Sequence, residues 1–223
     1  MEYSGQQQVL DQLYMRLDRT VQALQANRME ACWVHTGEEA LRRVTEMIPA
    51  EATVAAGGSM TLAECGITAW LKAGHCRYLD RDAVPKEEVP AVFRAAFSAD
   101  VYLMSSNAVT ETGELYNVDG NGNRAAALIY GPESVIVVAG ANKLVPDIAS
   151  AVRRVKSLAA PVNAARLKQD TPCVKCGTCA GLRGDLAAGC RSEQRICCSY
   201  VVSGYQRFPG RIKVILVAET LGY

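Results

Sequence analysis

A chain of 223 residues, 49% hydrophobic and 21% charged, is long enough to bury one sizeable core. A formal net charge of +1 supplies no global field to draw in nucleic acid or an anionic membrane surface, and the apolar runs are too short to span a bilayer. The opening Met1-Glu-Tyr-Ser-Gly-Gln-Gln-Gln has neither the basic nor the apolar region of an export signal, so the cytoplasm is the expected compartment.

Val9, Leu10, Leu13, Leu17, Val21 and Leu24 recur at three- and four-residue spacing. They predict an amphipathic helix within residues 1–30, packed on the following domain or on a second subunit of a homo-oligomer. From residue 31 onward, strands and helices alternate. Cys32-Trp33-Val34 reads as a strand, followed by a helix with Ala40, Leu41, Val44, Met47 and Ile48 on one face, ended by Pro49. Thr53–Ala56 is a second strand, running through Gly57-Gly58-Ser59 into a helix containing Leu62, Cys65 and Ala69. A strand near Arg77–Leu79, a helix with Val89, Val92, Phe93, Ala96 and Phe97, and a strand at Val101–Met104 follow. Beyond a polar, glycine-rich stretch lies a buried strand at Val135–Val138. A helix opened by Pro146 then turns Ile148, Val152, Val155 and Leu158 inward. The pattern predicts an α/β fold, a mostly parallel sheet with helices on both faces. Residues 168–205, rich in Cys, Gly and Arg, interrupt it as an excursion before Ile212–Val217 returns to buried-strand chemistry.

Gly57-Gly58-Ser59 sits at a strand-to-helix turn, where free backbone N–H groups suit an anion and Ser59 adds a hydroxyl. An ordinary turn with Ser59 as the helix cap is the competing reading. The motif is neither a Walker loop nor a dinucleotide fingerprint. The polar stretch runs from Ser106 through Asn107-Ala-Val-Thr-Glu-Thr-Gly113 to Asn117-Val-Asp-Gly-Asn-Gly-Asn123-Arg124 and reads as a hairpin. Its one carboxylate flanked by two hydroxyls, Glu111, is the candidate acid, base or nucleophile. Asn107, Asn123, Arg124 and Lys143 are candidates for orienting a small carboxylate or phosphorylated ligand, Arg through a planar fork and Lys as a point charge. His35 and His75 stand beside no nucleophile motif and in no metal-ligand spacing.

Six of the nine cysteines fall between Cys173 and Cys198, while Cys32, Cys65 and Cys76 read as small core hydrophobes. Cys173-x-x-Cys176-x-x-Cys179 places three thiols on one short loop, and Cys190 or Cys197 is available to complete a four-thiolate set. This predicts an iron–sulfur cluster or zinc. Reduced structural thiols or a redox-sensitive disulfide are the alternatives.

Taken together, the Asn107 and Asn117 motifs, Ala126-Ala-Leu-Ile-Tyr-Gly-Pro, Val135-Ile-Val-Val-Ala-Gly-Ala-Asn-Lys143, Ala159-Ala-Pro-Val-Asn-Ala-Ala-Arg166 and Gly210-Arg-Ile-Lys-Val-Ile-Leu-Val217 resemble the LUD-domain family, named for lactate utilization. The resemblance implies the NagB/RpiA/CoA-transferase-like fold, a small carboxylate ligand, and work beside an iron–sulfur partner in oxidising lactate to pyruvate. It also implies the alternative of a stand-alone CoA-transferase-like or sugar-phosphate-isomerase-like enzyme that uses Glu111. The family's cysteine segment maps onto Cys173, Cys179, Cys190 and Cys197. Cys176 stands where threonine is more usual, and Gly181–Gly189 looks like an insertion.

Overall fold

The computed structural model describes residues 5–223, so the first four residues of the expected leading helix lie outside the described residues. The elements of the first half are α1 (Gly5–Ala26), β1 (Glu30–Val34), α2 (Gly37–Met47), β2 (Thr53–Ala56), α3 (Met60–Glu64), α4 (Ile67–Lys72), β3 (Arg77–Leu79), α5 (Val89–Ala95) and β4 (Val101–Met104). Then come β5 (Ala108–Thr110), β6 (Leu115–Asp119), α6 (Asn123–Ile129), β7 (Ser134–Gly140), β8 (Leu144–Val145), α7 (Ile148–Arg154), α8 (Ala160–Arg166), α9 (Pro172–Cys176), β9 (Ser199–Ser203) and β10 (Ile212–Val217).

Six strands form an all-parallel sheet in the order β1-β10-β7-β4-β2-β3. Its central strands are apolar on both sides, as burial on two faces requires. Val135, Val137, Val214 and Leu216 pack on the face covered by α1 and α6, through Leu17, Leu24, Ala127 and Leu128. Ile136, Val138, Ile215 and Val217 meet α2, α3 and α4 on the other, through Ala40, Val44, Leu62, Ile67 and Leu71. Cys65 is core filler there, with Cys32 and Cys76 packed against the same cluster. The predicted α/β architecture is therefore the observed one.

Four details refine or depart from the sequence expectation. The helix expected around Leu62–Ala69 is two short ones, because Gly66 takes φ +76° and breaks it between α3 and α4. Along α1, Leu17 and Leu24 are buried while Val9 and Leu10 stay exposed, so only the second half of the apolar face is covered. Leu158 points outward because Val155–Ala159 forms a π-helical turn between α7 and α8, and the wider turn rotates the face. Finally, the polar hairpin is interior. β5 and β6 belong to a second, four-stranded sheet ordered β8-β5-β6-β9, and every residue of both strands is buried. The cysteine-rich excursion ends in that sheet, with β9 pairing antiparallel to β6.

The hairpin's tip explains its glycine. Gly113 has φ +89°, and a Cβ there would lie 2.6 Å from the α1 backbone at Ala23. Asn27, just beyond α1, donates its amide to the carbonyls of Thr112 and Gly113 at 3.2 and 2.8 Å. The tip is a seat for α1.

Candidate functional site

From β2 the chain steps outward to β3 and then crosses back to place β4 on the other side of β2. Open parallel sheets leave a crevice at such a reversal, beyond the carboxyl ends of the strands. The segments leaving β2, β4 and β7 meet there: Gly57–Met60, Ser105–Asn107 and Lys143. They line a cleft of about 300 Å³ that is completed by Asp119, Asn123 and Arg124 from the β6–α6 bend. All seven ligand-binding candidates taken from the sequence (Gly57, Gly58, Ser59, Asn107, Asn123, Arg124 and Lys143) border this one cleft.

Their individual roles differ. Gly57 gives its N–H to the carbonyl of Leu103 at 2.9 Å, and Ser59 caps α3 by accepting from Leu62 N at 3.2 Å. The hydroxyl is thus spent on the helix, as the turn reading anticipated. Gly57 is closely packed: a Cβ would stand 3.1 Å from Arg124 Cδ and 3.2 Å from the Tyr102 hydroxyl, so a side chain there would press on both. A Cβ on Gly58 would overlap the guanidinium of Arg81, which reaches across from the loop after β3.

Arg124 is a keystone. Its guanidinium donates to the carbonyls of Ser105 at 3.3 Å and Val118 at 2.7 Å, to Asn107 Oδ1 at 3.0 Å, and to Asn117 Oδ1. Asn107 Oδ1 also accepts from Val118 N at 2.9 Å, so the asparagine ties Arg124 to the hairpin. Asp119 lies 4.0 Å from Arg124 Nε and accepts from Gly122 N and Ala125 N, fixing the bend that opens α6. Arg124 therefore contributes a fixed positive charge, with its fork already occupied. Burial pushes its pKa down, and Asp119 opposes that shift.

Lys143 forms the floor. It is buried, and Nζ donates to Thr61 Oγ1 at 2.7 Å and Ser105 Oγ at 3.0 Å, both neutral hydroxyls. Desolvation first, then the charges of Arg154 and Arg124, push its pKa from 10.5 down to about 7, against weaker opposing effects of Glu64 and Cys65. Arg81 and Arg166 stand at the rim. Arg166, with Asn163, holds the hydroxyl of Tyr223, which also lines the cleft. Among the described lining residues, one acidic side chain, Asp119, stands beside four basic ones, and the space favours an anion. Arg81, Ser105, Asp119, Asn163, Arg166 and Tyr223 are lining residues that the sequence reading did not select.

Glu111 is placed elsewhere. It lies outside the cleft lining, with Oε1 accepting from Arg16 Nε of α1 at 2.7 Å and Oε2 3.8 Å from Arg19. The carboxylate flanked by two threonines docks the first helix. Glu111→Gln is expected to lower stability in urea by roughly 0.5–1 kcal/mol, as for a half-exposed ion pair, and to leave ligand affinity in the cleft unchanged. A large loss of affinity at unchanged stability would return Glu111 to the site.

Among the described residues, no three His, Cys, Asp or Glu side chains are gathered where they could hold a metal ion. Cys173, Cys176, Cys179, Cys190 and Cys197 are all free thiols. Three of them have local partners: Cys173 faces the Thr171 hydroxyl at 3.2 Å, Cys176 donates to Thr178 O at 3.3 Å, and Cys179 accepts from Gly181 N at 3.3 Å. In this arrangement they do not fit an iron–sulfur cluster or zinc. Two cations order the excursion by gathering carbonyls. Lys156 donates to Gly181 O at 2.9 Å and to Asp185 O, and Arg195 reaches the carbonyls of Cys190, Cys197 and Ala187.

The sequence profile of the LUD domain matches residues 17–217. Among solved structures, a DUF162 family protein from Deinococcus radiodurans is similar over 93% of this chain and 98% of its own, at 14% identity and a TM-score of 0.49. No curated protein matches the sequence. No described helix is long and apolar enough to cross a membrane.

Proposed function

Since the chain belongs to the LUD-domain family, which is related to the lactate-utilization proteins, we propose that its cleft binds a small carboxylate and that it serves as the ligand-binding subunit of a lactate-to-pyruvate system. One observation carries this reading. Lys143, Arg124, Arg81 and Arg166 surround a space of about 300 Å³ in which, among the described residues, Asp119 is the one acidic side chain. A two- or three-carbon acid fits that volume, and its charge would offset repulsion between buried Arg124 and the basic side chains around it. In this reading the two electrons of hydroxy-acid oxidation pass to an iron–sulfur partner, as the family resemblance implies. The alternative enzyme centred on Glu111 gains no support from a carboxylate engaged by Arg16 outside the cleft. Metal at the cysteine segment is a separate proposal, and the present thiol arrangement does not support it. Iron or zinc retained by anaerobically purified protein would require those thiols to regroup.

Calorimetric titration with lactate, pyruvate and inorganic phosphate tests the cleft. Both carboxylates are expected to bind. Gly58→Val, whose new side chain displaces the flexible end of Arg81, should weaken them by about ten-fold or more while shifting stability by less than about 1 kcal/mol. Phosphate alone binding would replace the carboxylate by a phosphorylated ligand. Unaltered affinity in Gly58→Val would move the site elsewhere.

A further inference from the structure

We propose that Lys143 is a covalent anchor, its amine condensing with the carbonyl of a small anionic oxo compound bound in the cleft, an α-oxo acid in the first instance. This rests on the cleft being a carboxylate site and adds a reaction to it.

The geometry separates Lys143 from the other cations of the lining. Arg124 is saturated by carbonyl and amide oxygens, whereas Lys143 touches two hydroxyls that can each accept or donate. Among the described residues it has no carboxylate partner of the kind that holds a surface lysine protonated. Instead it shares its surroundings with Arg154, which donates to Asn142 O at 3.0 Å and Asn107 O at 2.7 Å, and with Arg124. Glu64 acts on it from α3, but that carboxylate is engaged with Gly222 N at 2.6 Å. A desolvated lysine near other cations is disposed to lose its proton, and the neutral amine is the nucleophile. A glycine backbone packs closely beside it as well. Gly222 has φ +58°, and a Cβ there would come within 2.8 Å of Thr61 Oγ1 and 3.4 Å of Lys143 Nζ.

The step balances without an oxidant. The nitrogen lone pair attacks the carbonyl carbon, forming the C–N bond, and the π electrons move to oxygen. That oxygen takes up a proton while nitrogen releases one, with Ser105 and Thr61, 3.5 Å apart, available to pass it. Protonation of the resulting hydroxyl, rupture of the C–O bond and formation of C=N release one water. A hydroxy acid lacks the carbonyl, so lactate would occupy the cleft without reacting.

Cyanoborohydride reduction followed by peptide mass mapping tests this on the intact protein. With pyruvate, Lys143 should gain the mass of pyruvic acid less one oxygen atom. Excess lactate should slow the labelling, and the rate should rise between pH 6 and pH 8. Lys143→Arg, which keeps the charge, should cut labelling by about ten-fold or more. Dihydroxyacetone phosphate, run in parallel, distinguishes the anion. If it alone labels Lys143, the oxo-acid assignment is overturned. Pyruvate that binds in calorimetry yet labels nothing, or labels exposed Lys72, Lys168 and Lys175 equally, overturns the anchor and leaves the carboxylate site standing. With neither binding nor labelling, both readings fall.

Discussion

Arg124→Met is expected to destabilise the protein by about 3–5 kcal/mol, the scale for removing one partner from a buried charged network. Methionine fills much of the arginine stem's volume, so the loss is not a cavity effect. It comes from acceptors that lose Arg124 as their donor: Ser105 O, Val118 O and Asn117 Oδ1, with Asn107 Oδ1 keeping only Val118 N. Asn117 is fully buried and cannot turn to water instead. Asp119 also loses its nearest cation. Urea denaturation measures the loss, and hydrogen exchange should localise it first to β6 and the bend into α6. A cost below about 1 kcal/mol would mean that the hairpin holds itself together.

Lys143→Met should stabilise the folded state more in acid than in alkali. The sign follows from a folded pKa of about 7 set against 10.5 for the free side chain. Below the lower value both states carry the proton, and burying the charge costs the folded state its full penalty. Between the two values the folded state has already released the proton while the unfolded chain keeps it, so the penalty fades as pH rises. The stability difference between variant and wild type should therefore shrink by about 2–3 kcal/mol between about pH 6 and about pH 9. Arg154, Arg124, Glu64 and Cys65 face Lys143 in both proteins, so their own titration largely cancels in the comparison. A difference that does not change with pH would show that Lys143 keeps its proton in the fold.

The two halves of the polar motif show what a sequence can and cannot disclose. Asn107 and Arg124 are 17 positions apart, yet both lie in the glycine-rich stretch whose composition resists a core explanation, and both reach the cleft. Glu111 stands in the same stretch and was selected for the same reason. Its partner is Arg16, 95 positions earlier, on a helix whose seat cannot be read from periodicity. Local composition identifies an unusual loop but not which side of it meets solvent. The second sheet stayed hidden for a related cause. Thr110 and Asn117 are polar yet fully buried, Thr110 bonded to Glu114 and the Asn117 side-chain oxygen to Arg124, so alternation between polar and apolar residues gave no inward face to find. Arg81, Arg166 and Tyr223 come from three remote segments, after β3, at the end of α8 and beyond β10, and only the folded chain brings them to one cleft. The parallel sheet itself was readable because β7 and β10 carry the continuous apolar runs Val135–Val138 and Val214–Val217, bounded by turns.

The order of the strands also decides what a broken chain would do. Leu182 to Ala187 is exposed, and trypsin acting at Arg183 would divide the molecule in two. The shorter piece carries β9, laddered to β6, and β10, inserted between β1 and β7 of the longer piece. Neither fragment holds a complete sheet without the other. The nicked protein should therefore travel as one particle in a native sizing column, its cleft intact, and separate into two bands only after denaturation.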